Sequence, residues 1–123
     1  MRQRIRVFLL AEAGAFAAAA LVHSGVLVDG YEHDRARVAE SVIALVLLAG
    51  LALSWVRPAR TREAGIVAQG FALLGTLVGV LTIIVGVGPR TAPDVVYHLG
   101  IVAVLIWGLT VAVRASTEAE RRV

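Results

Sequence analysis

Two stretches of this 123-residue chain, Ser41 to Val56 and Gly65 to Val87, contain no charged residue at all, and that leaves few folds open. A helix of such composition has no face to offer water, so lipid or protein must surround it. Two further apolar stretches flank them, giving spans at about 6–28, 38–56, 65–87 and 95–113. At 1.5 Å rise per residue each is long enough for a hydrocarbon layer of about 30 Å. The fold class expected is therefore all-α: an integral membrane four-helix bundle forming one domain over residues 1–123.

Composition agrees with a lipid solvent. Hydrophobic residues make up 59% of the chain and charged residues only 17%, and mean hydropathy is +0.82, above the range of ordinary soluble domains. A pI near 10.6 would otherwise suggest a nucleic-acid partner, but every cation is arginine and most stand at span ends, so no nucleic-acid binding is expected. Arg2, Arg4 and Arg6 precede the first span. Arg57, Arg60 and Arg62 join the second to the third, and Arg114, Arg121 and Arg122 follow the fourth. Only Arg35, Arg37 and Arg90 fall on the other side, which is acidic through Asp29, Glu32, Asp34, Glu40 and Asp94. The positive-inside rule then predicts a multi-pass protein of the cell membrane with both termini in the cytoplasm. Short loops make sequential helices antiparallel neighbours, an up-down arrangement. The first apolar run continues to Val28, longer than the core of a secretory leader, and is read as a span. The chain has no cysteine, which excludes disulfides, thiolate metal sites and thiol redox relays.

Small residues indicate how such helices meet, because lipid supplies no hydrophobic drive and close backbone approach must serve instead. Ala13 to Ala20 of the first span is one such surface; Gly75 and Gly79, a G-x-x-x-G, form another. The glycine pair suits packing inside the bundle, or contact with a second copy or a larger membrane complex.

The few polar residues inside the spans fall into two layers. Glu12, Gln69 and Trp107 lie at similar depth from the cytoplasmic ends of the first, third and fourth spans. His23, Ser24, Thr82 and His98 lie near the outer ends, with Glu40 and Tyr97 just above. Glu12 and His23 are separated by eleven positions, which at 100° per residue places them within ~20° of one helix face and ~16 Å apart along it. Ionisable groups inside a membrane are costly, about 2.5–3.5 kcal/mol on insertion scales, and mark functional sites by default.

These layers define the functional expectations. The outer one, His23, His98 and Glu40 with Glu32 and His33 from the adjoining loop, is expected to bind a small ligand or a divalent metal ion. A single haem b between the two histidines is the other cofactor considered, since imidazole suits both. The inner layer supports a proton-coupled transporter using Glu12, or a glutamate hydrogen-bonded between helices to Gln69 or Trp107. A scaffold or accessory subunit acting through Gly75 and Gly79 is the third class. No motif in the chain points to enzyme activity.

Overall fold

The computed structural model describes residues 1–121, with side chains through residue 115. It contains four α-helices: α1 Arg2–His23, α2 Asp34–Val56, α3 Thr61–Ile84 and α4 Ala92–Arg121, with a 3-10 turn Pro58–Arg60 before α3. All four are long and apolar enough to cross a membrane, the pattern of a multi-pass membrane protein. Of the arginines in the expected charged tail, Arg122 lies outside the described residues.

Helix boundaries follow from local chemistry. α1 ends at His23, short of the expected Val28, because Gly25 takes up a left-handed backbone (φ 78°). There the Gly25 amide donates to the Val22 carbonyl at 3.1 Å and the Val26 amide to that of Leu21 at 3.2 Å, the paired bonds of a Schellman cap. α3 ends the same way at Gly86 (φ 87°), with the Val87 amide donating to Thr82 at 2.9 Å. Both segments continue apolar, so hydropathy alone overruns both helix ends. Pro58 pushes Arg57 out of the helical region (φ −128°, ψ 76°) and stops α2.

Each helix buries one stripe and turns its remaining apolar residues outward. Ile5, Leu9, Ala13, Phe16 and Ala20 of α1 are buried, as are Ile43 and Leu47 of α2, Ala64, Ala68 and Ala72 of α3, and Ile101, Leu105 and Ala112 of α4. Leu10, Leu45, Leu74, Val96 and Ile106 are exposed, an outer surface suited to lipid. Small residues set the closest approaches. A Cβ on Gly50 would stand 2.8 Å from Ala68 Cβ, and one on Gly65 would stand 2.5 Å from Ile5 Cγ2. Gly75 and Gly79 are used within the bundle, a Cβ on them meeting Ile43 at 3.0 Å and His98 at 3.4 Å.

Polar contacts fasten the two ends. At one, Arg6 donates from Nε to Ser54 Oγ (3.2 Å) and from Nη2 to the Ser54 carbonyl (2.5 Å), with its guanidinium 4.0 Å from the Trp55 ring centroid. Thr61 Oγ1 donates to the Pro58 carbonyl at 2.8 Å. At the other end lie His23, Glu40 and Asp94.

Candidate functional site

The His23 end is built from three helix termini. His23 is the last residue of α1, and its carbonyl accepts from the His33 amide at 2.9 Å, which folds the loop back over it. His33 in turn caps α2, its Nδ1 accepting from the Ala36 amide at 3.1 Å. Glu40 lies on the buried stripe of α2, in register with Ile43 and Leu47. α4 begins with a capping box. The Thr91 amide donates to Asp94 Oδ2 at 3.1 Å, the Asp94 amide donates to Thr91 Oγ1 at 3.3 Å, and the Thr91 hydroxyl also donates to Oδ2. That box leaves Asp94 Oδ1 free to face α1.

His23 is held between the two carboxylates. Its Nδ1 lies 2.7 Å from Glu40 Oε2 and its Nε2 lies 3.0 Å from Asp94 Oδ1, and all three residues are buried. Each of the two hydrogen bonds contains one proton. With one proton in each bond and none on the outer carboxyl oxygens, the three groups together carry one negative charge, wherever along the two bonds those protons sit. Such a cluster is expensive to bury unless every partner is present.

Next to it is a cavity of about 250 Å³, lined among others by Phe16, Glu40, Thr76, Gly79, Tyr97 and His98. His98 Nδ1 donates to the Asp94 backbone carbonyl at 2.7 Å, and because a carbonyl only accepts, this fixes the tautomer. In the neutral ring Nε2 is then a bare acceptor, on the side where Gly79 leaves room. The Tyr97 hydroxyl oxygen is shielded from solvent and has no hydrogen-bond partner among the described residues. A second, more open groove of about 520 Å³ runs between α1 and α4 along Ala15, Ala18 and Val22, and reaches His23, Asp94 and Tyr97 from the other side.

Of the outer residues expected from sequence, His23 and Glu40 meet directly, and His98 joins them through Asp94 rather than by facing His23. Glu32 stands apart: it is exposed and accepts from the Gly30 amide at 2.9 Å. His33 borders the cavity, its ring 6.4 Å from that of His23, but both of its nitrogens are occupied, by the Ala36 amide and the Val87 carbonyl. A metal at His23 would have to displace a carboxylate from one ring nitrogen. Among the described residues no three His, Asp or Glu side chains are arranged to hold an ion. Axial ligation of a haem meets the same obstacle at His23. Asp94 and Tyr97 are the residues that sequence reading undervalued. The signal was present in Thr91-Ala-Pro-Asp94, a capping-box pattern that predicts a helix start placing Asp94 at the bundle end.

In the other polar layer Glu12 and Gln69 meet and Trp107 does not. Both are fully buried, and Gln69 Nε2 donates to the Gly65 carbonyl at 3.0 Å. Both oxygens of Glu12 and Gln69 Oε1 lack partners among the described residues. They crowd the backbone of Gly108, where a Cβ would stand 2.6 Å from Glu12 Oε1. Trp107 is 66% exposed, packed edge-on to Phe8 at 5.4 Å between centroids. One helical step of 100° separates it from Gly108, and α4 turns its glycine, not its indole, toward the polar pair.

Fold and site together define a multi-pass helical membrane protein with a buried acid–histidine cluster beside a partly apolar cavity. No family model, characterised protein or solved structure matches the chain.

Proposed function

We propose that this chain is a small cell-membrane protein whose cavity beside His23, Glu40 and Asp94 binds a small ligand from the outer leaflet. The observation that carries this reading is the juxtaposition of an apolar cavity with a few polar groups on its wall, among them Tyr97, whose hydroxyl has no partner among the described residues. That combination is the usual form of a ligand site. A volume of about 250 Å³ falls just below the range for drug-sized molecules and suits a smaller one. The test is native mass spectrometry of protein released from its own membrane. Ala39 of α2 lines the cavity; wild type is expected to retain a small non-lipid adduct that is released by Ala39→Phe, which places a bulkier side chain on that wall. Identical adducts in both proteins would sink the proposal.

The ligand reading goes with an orientation. The helices run antiparallel, up and down, with both termini cytoplasmic and the His23 end outside. Nine arginines at the Arg6 end against three at the other support it. The native chain has no cysteine, so single replacements report cleanly. Cysteine at Asp29 should react with an impermeant maleimide added to intact cells, and cysteine at Arg62 only after the membrane is opened; the reverse pattern refutes the orientation.

A further inference from the structure

The geometry points to an organic ammonium cation as the ligand class of this cavity, an inference that rests on the ligand-binding reading above. It follows from which hydrogen-bonding valences remain unused along the lining. The Thr76 hydroxyl proton is spent on the Ala72 carbonyl at 2.7 Å and that of Thr82 on the Gly79 carbonyl at 2.6 Å. His98 spends its N–H on the Asp94 carbonyl. His33, accepting at Nδ1, has its N–H on Nε2, directed to the Val87 carbonyl 3.3 Å away. What these groups still offer is lone pairs: His98 Nε2, two threonine oxygens and the Glu40 carboxylate. The Tyr97 hydroxyl adds a further acceptor and the one uncommitted donor among these groups.

A lining rich in acceptors selects a ligand rich in donors, since a buried acceptor left without a partner costs free energy. Charge points the same way. With one proton in each of its two hydrogen bonds the His23–Glu40–Asp94 cluster carries one negative charge, and Glu40 belongs to both cluster and cavity wall. Arg35 is the cation bordering the cavity, and it stands exposed at the rim, where solvent screens it. An ammonium group supplies up to three donors and one positive charge on a compact head. Its hydrocarbon portion fits the apolar remainder of the wall at Phe16, Ile43 and Val78.

Three matched probes test this: cyclohexylammonium, cyclohexanol and cyclohexanecarboxylate. Each is titrated calorimetrically at neutral pH into wild-type protein in nanodiscs, with empty nanodiscs subtracting partition into lipid. Cyclohexylammonium is expected to bind about tenfold or more tightly than either isostere. That binding should be lost in Ala39→Phe and weakened about tenfold in Thr76→Val, both checked for retained helicity by circular dichroism. Binding of the alcohol or the carboxylate at equal or greater strength, itself lost in Ala39→Phe, would leave the ligand cavity standing and overturn the ammonium assignment. Failure of all three probes to bind folded wild-type protein would overturn both.

Discussion

Replacing His23 with alanine should destabilise the bundle by about 3–5 kcal/mol, the largest loss expected from any single side chain at this end. The imidazole stands between Glu40 and Asp94, 2.7 and 3.0 Å away, with all three residues buried. Without it the carboxyl groups of α2 and α4 face one another across a space that holds no counter-charge, and α1 loses its polar tie to both. Unfolding by graded addition of sodium dodecyl sulfate to protein in mild micelles, followed by circular dichroism, reads the effect. A midpoint equal to wild type would show that the cluster contributes nothing to the fold. Replacing all three residues with apolar side chains of matched volume should restore most of the lost stability, because a buried ionic cluster gains little over good apolar packing. It would also remove the site, so a stable variant without ligand binding separates the functional value of these residues from their structural one.

At the opposite end, Gly108→Ala should cost about 3 kcal/mol, at the upper end of what a single added methyl usually costs in a packed core. The new Cβ would overlap Gln69 Oε1 and stand 2.6 Å from Glu12 Oε1 and 2.9 Å from Phe8 Cδ1. Two fully buried polar side chains would have to move. Gly100→Ala on the same helix, where nothing lies within 4 Å of the added atom, is the control and should change stability by no more than about 0.5 kcal/mol. The same denaturation assay decides between them, and equal midpoints for the two variants would refute the close packing of α4 on Glu12 and Gln69. Glu12→Gln, which keeps the volume and adds a donor among three unpartnered oxygens, should be tolerated far better than Gly108→Ala if Glu12 acts as a tie between helices. A Glu12→Gln protein that is stable but has lost an associated transport activity would instead favour proton coupling.

The apolar runs carried most of the helical architecture because they reflect solvent, and solvent preference is a property of each residue separately. Helix ends were less legible. α1 and α3 stop at Gly25 and Gly86 through backbone hydrogen bonds within apolar sequence, which a reading by hydropathy passes over. The spacing of Glu12 and His23 correctly put both on one face of α1, and both lie on its buried stripe. Depth alone misassigned Trp107, whose neighbour Gly108 takes the inward position. Depth also matched His23 with His98 without showing that Asp94 joins them, one through its side chain and the other through its backbone.

By itself, then, the sequence determined that this chain makes four long apolar helices and that a handful of polar residues lie at matched depths within them. Periodicity and composition act along one helix at a time. Tertiary structure decided which of those residues touch, since the rotation of each helix about its axis is set only when the others pack against it. That packing made His23 the centre of an acidic pair, turned the indole of Trp107 outward, and left beside Glu40, Tyr97 and His98 a cavity whose hydrogen-bonding valences are mostly acceptors.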